Sequence, residues 1–302
     1  MFKIIFLGTP DFAVPSLQAL INDERFEVVS VITQPDKPVG RHSELVSPPV
    51  KICAEKHGIP VHQPEKLKSD TGYRIPEADC FVVVAFGKIL PQWFLDIPKH
   101  GVVNVHGSVL PRWRGASPIQ AAIAAGDKKT GVTIMKMDAL LDHGPILATK
   151  EIEIQDHDTG GTLRDKLSEL GADTLPNALA DFLNGRIEPV EQNHDLATTC
   201  KTLKRKEGKI DWNKSAEEIE RLVRAYDPWP GTWFEFDGKR LKILRARVCA
   251  NQNLKPGQRF LQNQMPCVAC ANDSALGLVT VQPEGRPKMS GSDFLRGCSS
   301  WQ

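Results

Sequence analysis

The chain has 302 residues, 41% of them hydrophobic and 25% charged, enough apolar content for at least one full core and a length that divides most naturally into two domains. That composition excludes intrinsic disorder, and no apolar run nears the roughly 20 residues of a membrane-spanning helix, so a soluble chain with no membrane partner is expected. The net charge of +1 conceals an asymmetry: from Lys201 onward there are 18 Lys and Arg against 11 Asp and Glu, a balance of +7, whereas residues 1–200 carry 20 against 26, a balance of −6.

Lys3 to Leu7, Glu27 to Thr33, Cys80 to Ala85 and Val102 to His106 are short β-branched or aromatic runs bounded by turn residues, with helical patterns between several of them. That alternation predicts a parallel sheet of βαβ units, a Rossmann-like α/β domain. The first run leads into Gly8-Thr9-Pro10-Asp11, where Asp11 can cap a helix through about Ile21. No small-residue cleavage site or Arg/Ser-rich segment accompanies this start, which predicts a cytoplasmic protein. The G-x-G-x-x-G spacing is missing, so nothing here points to a dinucleotide.

Gln34 to Pro49 reads as a long irregular loop containing Lys37 and Arg41, and loops of that length are commonly functional. A helix over Ser117 to Ala125, strands over Gly131 to Met137 and Ile146 to Ile154, and a helix over Thr162 to Leu183 ended by Asn184-Gly185 complete a first domain, residues 1–185. Residues 186–206 read as a polar linker. A domain over 207–302 begins with a helix over Ala216 to Ala225. It continues as punctuated β-structure, with a hairpin around Asp237-Gly238 and candidate strands near Val268 to Ala271 and Leu276 to Val281. A small OB-like β-barrel accommodates these strands.

The seven cysteines are odd in number and scattered, as expected of reduced thiols. Cys267 and Cys270 have C-x-x-C spacing but no second ligand pair, so they read as strand-borne thiols and no metal is expected. Trp229, Trp233, Phe234 and Phe236 read as the aromatic filling of a small β core, although such rings can also stack on bases. Lys201 to Lys209 is either a solvated linker or a phosphate-following segment, and composition does not separate the two.

The chemistry is concentrated in Asn104-Val-His-Gly-Ser-Val-Leu-Pro-Arg-Trp-Arg-Gly-Ala-Ser-Pro-Ile-Gln120, followed by Leu141-Asp142-His143-Gly144-Pro145. Asn104 and His106 stand two apart at the end of a predicted strand, so both side chains leave one face. Carboxyl ends of strands in an open α/β sheet form the ligand crevice, and Asp142 can reach it from the next turn. An amide donor, an imidazole and a carboxylate suit acyl transfer to an amine. Asn104 and His106 can hydrogen-bond the oxyanion that forms when a formyl carbon is attacked, and His106, oriented by Asp142, can move the proton. Spacing alone does not distinguish this from an ordinary polar strand end.

These segments, NVHGSVLPRWRGASPIQ and GVTIMKMDALLDHGPIL, together with IIFLGTPDFAVPSL at the start, closely resemble the methionyl-tRNA formyltransferase family along most of the chain. The resemblance implies catalytic roles for Asn104, His106 and Asp142, and a 10-formyltetrahydrofolate site lined by Ser108, Val109, Leu110 and Pro111. It implies that TQPDKPVGR, with Lys37 inside it and Arg41 at the family's basic position, meets the acceptor arm of the tRNA. It also implies that KIDWNKSAEEIERLVRAYDPWPGTWFEF leads into an OB-like tRNA-binding domain. The expected partners are therefore initiator methionyl-tRNA and 10-formyltetrahydrofolate, for a monomeric enzyme of translation initiation. Three places depart from the pattern: His42-Ser43-Glu44-Leu45 replaces a Gly- and Lys-rich stretch, His143 replaces a Thr and is read as a turn residue, and Phe86 replaces a Tyr. Formyl transfer to glycinamide ribonucleotide or an amino sugar nucleotide, hydrolysis of the formyl-folate, or a tRNA-binding module without catalysis are the competing readings. None of the small acceptors needs a basic C-terminal domain, and a non-catalytic module does not need Asn104, His106 and Asp142.

Overall fold

The computed structural model of the chain describes residues 1–39, 44–67, 75–298 and 300–301. Compactness divides it into two units, one of Met1–Gly115, Thr130–Ile152 and Arg164–Thr199, the other of Ala116–Lys129, Glu153–Leu163 and Cys200–Gln302.

The first unit is built on a seven-stranded sheet. Its strands in chain order are β1 (Phe2–Gly8), β2 (Phe26–Ile32), β3 (Val61–His62), β4 (Cys80–Val84), β5 (Val102–His106), β6 (Lys129–Lys136) and β7 (Ile146–Glu153). Across the sheet the order is β7-β6-β5-β4-β1-β2-β3. The pairs β1/β2, β1/β4, β2/β3 and β4/β5 are parallel, while β6 runs antiparallel to β5. This bears out the mostly parallel, Rossmann-like expectation. All five residues of β4 and the last five of β1 are buried, as strands covered on both faces must be.

Side chains alternate between two apolar clusters with the period of two of a strand. Ile4, Phe6, Val82, Val84, Val103 and Val105 face Leu17 and Leu20 of helix α1 (Val14–Ile21), with Leu175 and Leu179 of a long helix over Gly160–Leu183. Ile5, Leu7, Phe81, Val83 and Val102 face the opposite way, toward Phe86 and Phe94. Asn104 and His106 share the parity of Val102, so the strand puts both polar side chains on that second face.

The segment expected to be an irregular loop has more order than its prolines suggest. Residues 37–39 pair antiparallel with residues 44–46, and helix α2 (Pro49–Lys56) starts directly on the last proline. Proline is well suited to a helix's first turn, where its missing N–H has no partner to lose. Val50, Cys53 and Ala54, spaced i, i+3, i+4, supply the buried stripe.

The second unit carries an antiparallel sheet of β8 (Thr232–Phe236), β9 (Lys239–Ala250), β10 (Arg259–Gln262), β11 (Met265–Ala269), β12 (Ser274–Pro283) and β13 (Met289–Ser290). They run in the order β8-β9-β12-β11-β10 with β13 added to β12. Asp237 and Gly238 both take positive φ, 48° and 73°, the geometry that matches a two-residue hairpin to strand twist. Ile219 and Val223, from a helix over Ala216–Ala225, pack with Phe234, Leu241, Ile243, Leu276, Leu278 and Trp301. That helix opens with a capping box: Glu218 N donates to Ser215 Oγ at 3.2 Å and Ser215 N to Glu218 Oε2 at 2.9 Å.

The aromatic residues divide rather than acting as one core. Phe234 is buried, Trp229 is 47% exposed, and the guanidinium of Arg240 lies over the Trp233 ring at 4.3 Å. Cys267 and Cys270 are buried, with their thiols toward the carbonyls of Met265 and Val268. Burial pushes each of these thiols up to about 12. Among the described residues no helix is long and apolar enough to cross a membrane.

Candidate active site

Asn104 and His106 lie at the carboxyl end of β5, and both are nearly covered, 9% and 6% exposed. They are less open than a solvent-facing crevice would leave them. The residues following the strand fold back over it: the Nε2 nitrogen of His106 meets the carbonyl of Trp113 at 2.9 Å. A carbonyl only accepts, so Nε2 carries the hydrogen and Nδ1 is the nitrogen left for proton chemistry. The fold-back is sharp, with Trp113 at φ 61° and Gly115 at φ 115°.

Asp142 reaches the same place from the turn after β6, again in the left-handed region at φ 48°. Its Oδ2 accepts the backbone N–H of Gly115 at 2.7 Å. Its Oδ1 lies 3.6 Å from His106 Nδ1, too long for a hydrogen bond but close enough for the carboxylate to stabilise charge arriving on the ring. The Asn104 side chain makes no hydrogen bond to any described residue, and its amide atoms keep accessible surface, so its donors are open to a ligand. The sequence-predicted trio is thus brought together: an imidazole with one committed nitrogen, a carboxylate anchored by the backbone, and an amide with free donors.

The Ser108–Pro111 segment divides between buried and partly exposed residues. Ser108 is fully buried, and its hydroxyl donates to the carbonyl of Arg112 at 2.6 Å. Thr133 Oγ1 donates to Ser108 O at 2.7 Å and accepts Leu110 N at 3.1 Å. Leu110 is buried, whereas Val109 and Pro111 keep partly exposed surface. The Leu110–Pro111 peptide is cis.

Lys37 is exposed, and its ammonium reaches Gln34 Oε1 at 2.6 Å. Arg41, with His42 and Ser43, lies outside the described residues. His143 is fixed in its turn by Asp138, Nδ1 to Oδ2 at 2.6 Å, and its ring stacks on His194 at 4.1 Å and 4°.

Several residues around the site carried no signal in the sequence. Trp113 and Gly115 act through backbone atoms, which a side-chain motif does not reveal. Residues 190–198, which read as the start of a polar linker, instead run along this unit. Val190 bridges Ile146, Thr198 Oγ1 accepts Trp113 N at 2.9 Å, and Thr198 O accepts Arg114 N at 2.8 Å.

Comparison with known proteins follows the same two-part plan. The formyl transferase family matches residues 2–179, and the formyl transferase C-terminal domain matches residues 202–299. A methionyl-tRNA formyltransferase of Bacillus pumilus (strain SAFR-032) is 46% identical over 304 residues, covering 99% of this chain and 96% of that protein. Among solved structures, the methionyl-tRNA formyltransferase from Clostridium thermocellum aligns with a TM-score of 0.56 at 19% identity, over 82% of this chain and 93% of that one. WlaRD, a sugar 3N-formyl transferase solved in the presence of dTDP and 5-N-formyl-THF, aligns with a TM-score of 0.69 at 19% identity, over 95% and 99%.

Proposed function

The chain belongs to the formyl transferase family, and on that premise we propose that it transfers the formyl group of 10-formyltetrahydrofolate to the α-amino group of initiator methionyl-tRNA, with Asn104, His106 and Asp142 as its catalytic residues. The acceptor follows from near-complete coverage at 46% identity to a methionyl-tRNA formyltransferase. Amino sugar acceptors draw only on structures at 18–19% identity, which speak for the fold. A basic C-terminal third with a balance of +7 also suits a polyanionic acceptor.

The observation that carries the mechanism is the unpartnered Asn104 amide beside His106 and Asp142. The formyl-folate, as co-substrate, supplies an activated one-carbon carbonyl on nitrogen. Asn104 donates to the oxygen of that carbonyl, where negative charge grows as the amine attacks, an effect on the order of 2.7 to 4 kcal/mol for one donor. His106 Nδ1 takes the proton that the attacking amine must lose, and Asp142 Oδ1 stabilises the imidazolium. The same nitrogen returns a proton to the departing folate nitrogen. Val109 and Pro111 offer their partly exposed surface to the folate, on a loop that Ser108 and Thr133 hold in shape. In this reading the Lys37 and Arg41 segment meets the acceptor arm and the antiparallel unit binds the tRNA body.

The test is mass spectrometry of methionyl-tRNA incubated with the protein and 10-formyltetrahydrofolate. A gain of one formyl group on the methionine is expected. Formylation of an amino sugar nucleotide with none on the tRNA would replace this acceptor.

A further inference from the structure

The turn carrying Asp142 is held by a side chain 50 residues away. Gln192 Nε2 donates to the carbonyl of Asp142 at 3.0 Å and to that of Gly144 at 2.7 Å. Its Oε1 accepts from Arg114 Nε at 3.1 Å and Nη2 at 2.7 Å. A guanidinium has only donors, so the fork of Arg114 forces the oxygen of Gln192 toward itself and leaves the NH₂ to face the two carbonyls. Gln192 is 4% exposed and Arg114 9%, so water does not compete for these bonds.

The turn needs such a hold. Asp142 sits at positive φ, a conformation disfavoured for a residue with a side chain unless its surroundings over-determine it. Gly144 lies so close to β6 that a Cβ there would meet Lys136 O at 2.0 Å. Arg114 is steadied in turn by His194, with Nη2 to Nδ1 at 2.8 Å, and His194 stacks on His143 within the same turn.

We propose that Gln192, oriented by Arg114, is a positioning residue for the transfer reaction: by capturing the carbonyls of Asp142 and Gly144 it sets the Asp142 carboxylate against His106. This rests on Asp142 serving His106 as proposed above. Gln192 touches none of the reacting groups, so its removal should slow chemistry without weakening either substrate's binding.

The discriminating substitution is Gln192→Glu in the full chain. Glutamate keeps the shape and both Arg114 contacts, but turns a carboxylate oxygen toward two carbonyls where a donor stood. The expected result is a kcat lower by about 10²-fold, the scale for a displaced catalytic group, with KM for methionyl-tRNA and for formyl-folate each within about twofold. Because Gln192 acts through Asp142, the double variant Asp142→Asn/Gln192→Glu should be no slower than Asp142→Asn alone. Gln192→Ala, which brings no repulsion, should show the same kcat-only, non-additive pattern if the glutamate variant fails to fold. Normal kcat in the folded Gln192 variants, or losses that multiply with that of Asp142→Asn, would overturn the positioning role. Normal kcat in Asp142→Asn itself would instead overturn the catalytic reading beneath it.

Discussion

The carboxylate of Asp142 divides its two oxygens between structure and chemistry: Oδ2 is bound to the Gly115 N–H at 2.7 Å, while Oδ1 faces His106 Nδ1 at 3.6 Å. Asp142→Asn retains an oxygen for Gly115 but removes the charge opposite the imidazole. We expect kcat to fall between about 10² and 10⁴-fold, the range for disabling a general acid–base group, with an unchanged Tm. Stopped assays of formyl-methionyl-tRNA and a thermal melt on the same preparation check both halves, and near-normal turnover would remove Asp142 from the mechanism.

Asn104 provides a second, sharper test because its amide has no partner among the described residues. Asn104→Asp matches its shape but places negative charge where the carbonyl oxygen becomes negative, so it should lose at least as much kcat as Asn104→Ala. An active Asp variant would make Asn104 a residue that orients substrate without stabilising charge.

Asp36 links the paired segments at 37–39 and 44–46 to the sheet unit. It accepts Gln63 Nε2 at 2.6 Å, Lys51 Nζ at 2.9 Å and Ser47 Oγ at 3.2 Å. Those bonds, that of Gln63 first, hold its carboxyl below the usual carboxylate range. A depressed native value means that the stabilisation is fully present above the unfolded value, about 3.9. It is lost as pH falls through the lower native one. Hydrogen exchange in residues 34–39 and 44–49 should therefore rise as pH drops below about 4, after correction for the intrinsic rate. Asp36→Asn should show the rise already at neutral pH. A segment whose protection is unchanged by Asn would show that Asp36 does not anchor it.

Cysteine reactivity reports the burial pattern directly. Cys53, Cys80, Cys267 and Cys270 are buried, whereas Cys200, Cys249 and Cys298 are partly exposed. Desolvation also pushes Cys80, Cys267 and Cys270 up to about 12, leaving almost no thiolate at neutral pH. Titration with a thiol reagent should find up to three groups in the native protein and all seven after unfolding. Rapid native labelling of Cys267 or Cys270, read by peptide mapping, would contradict this core.

On β9, Lys242, Arg245 and Arg247 are exposed. If this strand contacts tRNA phosphates, replacing all three with Ala should raise KM for methionyl-tRNA and leave KM for formyl-folate unchanged. The dependence of log K on log salt should also fall, by about 0.9 per lost contact on the duplex-DNA scale. An unaltered salt slope would move the tRNA platform elsewhere.

What the sequence determined by itself was local or carried by a motif. The run Val102–His106, apolar except for Asn104 and His106, specifies both a strand and that its polar pair emerges on one side of the sheet, because alternation is a property of consecutive residues. The helix over Ala216–Ala225 and the hairpin at Asp237-Gly238, the latter from its turn chemistry, were both legible in the chain, and the structure adds the capping box that opens the helix. Helix α2 was obscured by the prolines before it, whose local meaning is ambiguous until the packing of Val50 and Cys53 decides it. The folding of 113–115 over His106 and the bond from Gln192 to Asp142 belong to tertiary structure alone. Gln192 stands in a polar stretch with no periodicity, and its partners are backbone carbonyls 48 and 50 positions away. A contact of that kind leaves no pattern in the chain, because any residue at the far end presents the same carbonyl, and only the fold determines which one a buried amide will meet.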